Sequence, residues 1–371
     1  MKRIFVNLFI VVVGLLWALN ITAQKIGRPI WVVQHASNSY RCFDNAMEDG
    51  ANGVEIDLWT NRANKEDDWS VDHGRSGTEY WYYSADARKS KNAGITDPKD
   101  WYRSLKEYLE DKVLTSDKIS IIMLDMKSYP YADALMRHVH NILKAKGYSK
   151  DKVPPFQIIY GFYNINHLSA ETSDRRDDGI VLPYNGSMIA YFAHELWPNE
   201  GINLAYEGTH WSSNWSGRLG DIEKLLTDNN FPIEHHFTTN GLFSGVGATR
   251  WYHVVDARKL MIQNKYCARI GWWTCQTQKR GAECVYEDLS GAMKADFILI
   301  EGRTDFISSK FGARLALQKF VKNFFNPNET LYKDYNKGKY RPATRDDKFW
   351  ILYKDPSRVR YMSDKIFCTI H

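Results

Sequence analysis

The feature that most constrains how this chain can fold is a repeated alternation of short apolar runs with longer helical patterns. The apolar, strand-like runs occupy residues 30–35, 54–59, 119–127, 156–163, 202–207, 233–239, 267–274 and 297–301. Helical patterns follow them near residues 40–49, 98–112, 131–146, 187–197, 219–229, 249–264, 281–294 and 309–324. Eight β-then-α units in one chain predict an α/β fold of the (β/α)8 or TIM barrel class. A doubly wound open sheet is the alternative, but no GxGxxG motif follows the first run.

The two ends of the chain differ from this alternating pattern. Two positive charges precede an apolar run that ends near Leu19, and a small residue, Ala23, follows it, as in secretory signal peptides. We therefore expect a signal peptide in residues 1–23, a barrel in 24–325 and a C-terminal tail packed on that barrel in 326–371. A signal anchor is the alternative interpretation of the first segment. The expected location is secreted and extracellular.

Charge and cysteine content limit the possible partners. The 371 residues carry a net charge of +5 and no dense block of Lys or Arg, so a nucleic-acid partner is not expected. No protein partner is indicated. Export permits disulfides among the five cysteines, and Cys275 with Cys284 is one plausible local bridge, although the sequence does not fix the pairing. No CxxC motif is present, which argues against a structural zinc site.

Acidic and imidazole side chains gather at the predicted carboxyl ends of the first three strands, where barrel active sites lie. His35 ends the first run, Glu55 and Asp57 alternate in the second, and Asp125 ends the third. Residues two apart in a strand share one face, so we expect these side chains to converge. Three carboxylates that close would raise one another's pKa unless a cation lay between them. Hard oxygen ligands without cysteine indicate Mg²⁺.

Two further residues extend this cluster. Lys127 follows Asp125 by two positions and shares its face, and His73 lies in the polar loop after the second run. Two histidines beside a divalent ion can act as acid and base, or one as nucleophile. The predicted substrate is a phosphodiester whose charged oxygen meets the ion and Lys127.

The ordered set of motifs resembles the phospholipase D toxin family, the sphingomyelinase D dermonecrotic toxins of spiders with relatives in ticks, actinobacteria and fungi. The family pattern has a histidine ending strand one, GAN-x-x-E-x-D, a His-Gly loop and an apolar strand ending D-x-K. Here these elements read QHASNSY, GANGVEID, VDHGRSG and IIMLDMKS. Further matches are NINH, GWWTC and ATRDDKFW, so the motifs span residues 29–350.

The resemblance implies a glycerophosphodiesterase-like barrel that cleaves the headgroup side of a phospholipid phosphodiester at a membrane surface, with the tail plugging the barrel base. Sphingolipids and lysophospholipids would react by attack of their own free hydroxyl, giving a cyclic phosphate. The roles it implies are acid and base for His35 and His73, Mg²⁺ ligands for Glu55, Asp57 and Asp125, phosphate contact for Lys127, and headgroup contact for Trp273.

Some positions depart from the family pattern, and other functions stay open. The tyrosine and aspartate that flank the headgroup tryptophan in the toxins are Gly271 and Gln276 here, and the asparagine after strand eight is Glu301. Trp272 and Trp273 are candidates to bind a quaternary ammonium through their rings. The alternatives are a glycerophosphodiester phosphodiesterase of small phosphodiesters and a non-catalytic secreted barrel protein.

Overall fold

The structure is a computed structural model that describes most of the predicted barrel. The described residues are 27–59, 69–71, 104–127, 131–162, 168, 187–204, 206–207, 215–241, 267–275, 277–286, 295–302 and 316–351. The predicted signal peptide, His73, Gln276 and the helix expected near 249–264 lie outside these residues.

Eight parallel strands form a closed barrel, which confirms the predicted fold. The strands in chain order are β1 (Arg28–Gln34), β2 (Gly53–Trp59), β3 (Ser70–Val71), β4 (Ile121–Met126), β5 (Gln157–Phe162), β6 (Glu200–Leu204), β7 (Tyr206–Glu207), β8 (His236–Gly241), β9 (Arg269–Cys275), β10 (Phe297–Ile300) and β11 (Tyr340–Pro342). Strand β1 pairs with both β2 and β10, and this double pairing closes the ring. The short strands lie outside the ring: β3 is antiparallel to β2, while β7 and β11 run parallel to β8 and β1.

Helices cover the outside of the barrel. They are α1 (Tyr40–Glu48), α2 (Leu105–Tyr108), α3 (Ala132–Ala145), α4 (Met188–Glu195), α5 (Trp215–Asp228), α6 (Gln278–Val285) and α7 (Ala316–Phe324). Helix α2 continues as a π-helix over Leu109–Val113, and a second π-helical turn spans Tyr332–Asn336. None of the helices in the described part of the chain is long and apolar enough to cross a bilayer.

Side-chain caps and a proline explain where the structure departs from the predicted boundaries. Helix α6 begins three residues before the predicted start because the hydroxyl of Thr277 accepts a hydrogen bond from the backbone of Arg280. The strand predicted for 233–239 begins only at His236. Its first residues form a 3₁₀ turn, Ile233–His235, in which the N–H of His235 bonds the carbonyl of Pro232.

Alternating side chains divide the apolar core into two layers. The outer layer lies between strands and helices and includes Val32, Ile56 and Leu124. The inner layer fills the barrel itself and is built from the other face of the same strands, for example Val33 and Met123.

The chain after α7 returns to the barrel and closes its amino-terminal end. Strand β11 pairs with the start of β1, and Phe349 and Trp350 then enter the inner layer. The Phe349 ring meets the Trp31 and Phe237 rings edge-on, with centroids 4.9 and 5.1 Å away. The Trp350 indole donates a hydrogen bond to the carbonyl of Asn199, directly before β6. We call residues 340–351 the plug.

The GAN motif connects this plug to the first two strands. Gly50 has φ = 89°, a left-handed conformation that suits glycine, in the turn after α1. The Asn52 amide donates 3.0 Å hydrogen bonds to the carbonyls of Ile30 and Ala343, and its oxygen accepts one from the N–H of Val32. The asparagine of the motif therefore connects β1 to the plug at the base of the barrel.

The predicted disulfide is not formed. Cys275 ends β9 and Cys284 lies in α6, and their sulfur atoms are 3.8 Å apart. A disulfide requires about 2.05 Å, so these residues are a buried pair of thiols. No disulfide links any of the four cysteines in the described ranges.

Candidate active site

The interior positions of β2 and β4 change from apolar to acidic toward the carboxyl end of the barrel. On β4, Met123 in the inner apolar layer is followed on the same face by Asp125. Asp57 lies directly beside Asp125 in the strand register, and Glu55 lies one step lower beside Met123. The inward face of two neighbouring strands thus presents three acids together.

The structure brings together the three predicted metal ligands. Glu55, Asp57 and Asp125 are buried, and each offers a carboxylate oxygen within 4.8 Å of the others. Burial, reinforced by the charge of Asp57, raises the pKa of Glu55. Burial likewise raises the pKa of Asp125 well above its ordinary value, although Lys127 opposes the shift. Both shifts show that these carboxylates are held where negative charge is costly.

The turn that follows β1 holds two of the acids in place. The N–H of Ala36 donates a 2.5 Å hydrogen bond to Glu55 Oε2. The Asn38 amide donates to Asp57 Oδ2 at 2.6 Å, and its oxygen accepts from the backbone N–H of Asp57 at 2.9 Å. Ala36 has φ = 50°, a conformation that costs free energy in a non-glycine residue. The strained turn therefore fixes the direction of both carboxylates.

A buried tyrosine supports the same turn from outside the barrel. The hydroxyl of Tyr108 in α2 donates a 2.7 Å hydrogen bond to the carbonyl of Ser37. The N–H of Ser37 in turn bonds the carbonyl of Glu55 at 2.7 Å. These contacts connect helix α2 to the site through backbone groups.

Lys127 lies against the acids, as its position two residues after Asp125 predicts. Its ammonium nitrogen is 2.9 Å from Asp57 Oδ1 and 2.6 Å from Asp125 Oδ2. It therefore brings a positive charge to two of the three candidate ligands.

His35 is placed on the neighbouring strand end and is paired with an acid. Its Nδ1 atom is 2.9 Å from Glu301 Oε1, just beyond the end of β10. Burial opposes a charge on the ring, but the carboxylates of Glu301 and Glu55 outweigh that effect and raise the pKa of His35 to about 10. The second predicted histidine, His73, lies outside the described residues.

The two candidate headgroup tryptophans point to different layers. Trp273 belongs to the inner layer, on the same side of β9 as the site, whereas Trp272 packs in the outer layer beneath the helices. A headgroup role for Trp272 is therefore wrong, because its ring is part of the packing core. A Cβ at Gly271 would overlap the Phe237 ring, so this barrel has no room for the tyrosine expected there in the toxins.

The residues present fit a hard divalent cation. Among the described residues, this triad is the one group of three acid, histidine or cysteine side chains arranged to hold a metal. All of its donors are carboxylate oxygens, the ligands that Mg²⁺, Ca²⁺ and Mn²⁺ prefer. Burial separates it from ordinary surface clusters of acids.

Two residues of the site are not among the candidate site residues predicted from the sequence. Asn38 lies three residues after His35 and contacts the site through its side-chain amide. Glu301 ends the last predicted strand-like run and departs from the family pattern, but its contact with His35 joins residues 266 positions apart.

No protein-family model matches this chain, and no curated protein shows significant similarity to it. The fold and site define the class to which the protein belongs. It is a (β/α)8 barrel with a buried acidic triad, a lysine and a paired histidine at the carboxyl ends of its strands.

Proposed function

We propose that this protein is a secreted, Mg²⁺-dependent phosphodiesterase of the phospholipase D type. It would cleave the headgroup from sphingolipids or lysophospholipids at a membrane surface. The observation that carries the proposal is the convergence of Glu55, Asp57 and Asp125 beside Lys127 and His35. The resemblance to the phospholipase D toxins is the basis for the substrate class. The signal-peptide pattern of residues 1–23 is the basis for the proposed export.

With a divalent cation bound by the triad, the site would favour a phosphodiester over a neutral substrate. A phosphodiester carries one negative charge and needs cationic groups close to its non-bridging oxygens. Lys127 supplies an ammonium group already directed at the triad. When bound by Glu55, Asp57 and Asp125, Mg²⁺ would act as a Lewis acid on a phosphoryl oxygen.

In the proposed reaction, the histidines transfer the protons. His35 lies at the end of β1, next to the strand that carries Glu55 and Asp57, and its side chain keeps about 20% of its surface exposed. An imidazole placed in this way can give or take a proton during the reaction. His73 is the proposed second member of the pair, on the basis of the family resemblance.

The proposed reaction is an internal transfer. The substrate's free hydroxyl loses its proton to one histidine while its oxygen forms a bond to phosphorus. The bond from phosphorus to the headgroup oxygen breaks, and the other histidine protonates that oxygen. A tethered hydroxyl has an effective concentration that can supply about 7–11 kcal/mol of the barrier when well oriented. The products are a cyclic phosphate and a free headgroup alcohol.

Phosphorus NMR on a lipid panel tests this function. The purified protein is incubated with Mg²⁺ and sphingomyelin, ceramide phosphoethanolamine, a lysophospholipid, a diacyl phospholipid or glycerophosphocholine. We expect a cyclic phosphodiester resonance from sphingomyelin, ceramide phosphoethanolamine and the lysophospholipid, and slow reaction of the diacyl lipid. The chelator EDTA should abolish the reaction, and added Mg²⁺ should restore it.

Matched variants make the result specific. Asp57→Asn should lose activity, whereas Asp44→Asn should keep it, because Asp44 is an exposed acid that pairs with Lys112 outside the barrel. Turnover of glycerophosphocholine alone would replace the proposal with a glycerophosphodiester phosphodiesterase. No turnover of any substrate would contradict an enzymatic function on phosphodiesters.

A further inference from the structure

We propose that Glu301 is a positioning residue, which holds the His35 ring through Nδ1 so that Nε2 is the atom that exchanges a proton with the substrate. The catalytic part of this inference rests on the proposed function. The structural part, a fixed ring with a defined proton position, stands on the described residues alone.

The backbone around Glu301 is fixed on both sides. Its N–H donates a 3.0 Å hydrogen bond to the carbonyl of Cys275, and its carbonyl accepts one of 2.9 Å from the N–H of Leu317 in α7. The N–H of His35 bonds the carbonyl of Ile300 at 3.2 Å. The pairing of β1 with β10 therefore sets the distance between the acid and the imidazole.

The chemistry of the contact requires a proton on Nδ1 of His35. We infer that Nδ1 of His35 is the donor across the 2.9 Å contact, because a carboxylate oxygen accepts hydrogen bonds. The opposite tautomer would bring the lone pair of Nδ1 against a carboxylate oxygen. With Nδ1 engaged in this way, Nε2 is the remaining ring atom for a substrate.

Among the described residues, the Glu301 side chain has His35 as its hydrogen-bond partner. Its side chain is only 2% exposed, its Oε1 atom bonds His35, and its Oε2 atom has no hydrogen-bond partner in the part of the chain that the structure describes. Burial of an acid with an incompletely satisfied carboxylate is costly. We infer that Glu301 is buried here, despite this cost, because it pairs with His35.

A second buried pair in the same barrel provides the contrast. Glu200 starts β6 and lies 2.8 Å from Nε2 of His140. Its carboxylate also accepts hydrogen bonds from the Tyr160 hydroxyl at 3.1 Å and the Trp197 backbone at 2.9 Å. This network is satisfied at both oxygens and lies at the amino end of the barrel, away from the acidic triad. Glu200→Gln is therefore a matched control for a buried glutamate–histidine pair.

Nitrogen NMR of the histidine rings tests the structural part directly. The His35 signals are assigned in the ¹⁵N-labelled full chain by their loss in His35→Gln. We expect a protonated Nδ1 in the wild type, a weakened Nδ1–H hydrogen bond in Glu301→Gln, and loss of the fixed Nδ1 proton in Glu301→Ala. An unprotonated Nδ1 in the wild type, or unchanged His35 signals in both Glu301 variants, would overturn the inference.

Kinetics with the lipid substrate that the wild type cleaves test the catalytic part. We expect kcat to fall by about 10–100-fold in Glu301→Ala, the scale on which partners that orient metal-ligating side chains contribute. KM should stay near the wild-type value, because Glu301 is buried and would act on the substrate only through His35. Glu301→Gln keeps the volume and an acceptor oxygen, so it should fold and lose less activity.

These experiments separate the structural part of the inference from its catalytic part. Glu200→Gln should lower the melting temperature and leave kcat unchanged. Normal kcat in folded Glu301→Gln and Glu301→Ala would overturn the catalytic part. If the wild type cleaves no phosphodiester at all, the proposed function fails, and the NMR result alone decides whether Glu301 fixes the His35 ring.

Discussion

Asn38 shows how a single side chain presents a candidate metal ligand. Its amide binds both the carboxylate and the backbone N–H of Asp57, so it fixes the rotation of that side chain. Its own position is set by the turn after β1, in which Ala36 accepts an unfavourable φ of 50°. The energy stored in this turn is the cost of presenting Asp57 in one orientation.

Replacement of Asn38 by alanine should weaken metal binding without removing a ligand. We expect a loss of about 10–100-fold in Mg²⁺ affinity, because partners that orient a ligand contribute on that scale. Isothermal titration calorimetry measures the affinity. Asp44→Asn, which changes an exposed acid of α1, serves as the control. Equal affinities for Asn38→Ala and the wild type would show that Asp57 needs no orientation.

Strand periodicity predicts the acids and the lysine but not their supports. Glu55, Asp57, Asp125 and Lys127 are two residues apart in pairs, and a period of two is all that is needed to place them on one face. The contacts of Asn38 and Glu301 depend on which strand ends become neighbours in the closed ring. That information is tertiary, and no local pattern contains it.

The plug explains how a short segment after the last helix stabilises the whole barrel. Phe349 fills the space between the Trp31, Phe237 and Phe297 rings. Arg269 of β9 donates hydrogen bonds to the carbonyls of Lys348 and Ile351. The amino-terminal end of the barrel is therefore sealed by aromatic packing and by backbone hydrogen bonds.

Phe349→Ala should destabilise the protein strongly. Truncation of a buried phenylalanine typically costs about 3–5 kcal/mol, and Phe349 is fully buried in the inner layer. Denaturant unfolding measures the change in free energy of unfolding. Ile351→Ala is the control, because Ile351 is 44% exposed and its truncation should have little effect. Equal stability of Phe349→Ala and wild type would mean that the plug does not fill the barrel.

Because of the ion pair inside the plug, the free energy of unfolding of the protein should depend on pH. Arg341 holds both oxygens of Asp347 at 2.6 Å. Partial burial would raise the pKa of Asp347, but the bonds from Arg341 and Thr344 outweigh it and lower that pKa below its ordinary value of 3.8. The unfolded state then binds more protons in this range, so acid favours unfolding. The stabilisation is complete above the ordinary pKa and is lost as pH falls through the lowered one.

Asp347→Asn tests this dependence. We expect it to reduce the free energy of unfolding near neutral pH, and we expect the difference from wild type to shrink as the pH falls to about 2. Urea unfolding at a series of pH values measures the difference. Asp346→Asn is the control, since Asp346 is an exposed neighbour. A difference that stays constant down to the lowest pH would contradict the lowered pKa.

Long elements with a clear period could be predicted from the sequence, and irregular ones could not. Strand β4 and helix α3 lie within one or two residues of their predicted bounds, because buried runs and helical periodicity leave few alternatives. The π-helical end of α2 and the 3₁₀ turn before β8 escaped prediction. Both are local adjustments to packing and to Pro232, which simple periodicity does not contain.

The barrel as a whole divides its interior between stability and chemistry. Its amino-terminal half is filled by aromatic and aliphatic side chains from the strands and the plug. Its carboxyl-terminal half holds buried acids whose pKa values are raised by burial. Without a cation these acids oppose folding, so a bound cation should stabilise the whole molecule.

Added Mg²⁺ should therefore raise the melting temperature. A ligand that binds only the folded state stabilises it by about 2.7 kcal/mol at a concentration 100 times Kd. Scanning calorimetry with increasing Mg²⁺ measures the effect, and Asp57→Asn should remove most of it. A shift of equal size in Asp57→Asn would assign the stabilisation to another site or to ionic strength.

The location of the ion itself is the most direct test of the metal centre. Mn²⁺ prefers the same carboxylate ligands as Mg²⁺ and scatters anomalously, so crystals grown with Mn²⁺ would reveal its position. We predict an anomalous peak within coordination distance of Glu55, Asp57 and Asp125, and its loss in crystals of Asp57→Asn. Crystals that contain Mn²⁺ at saturating concentration but show no peak between these three carboxylates would contradict the metal centre.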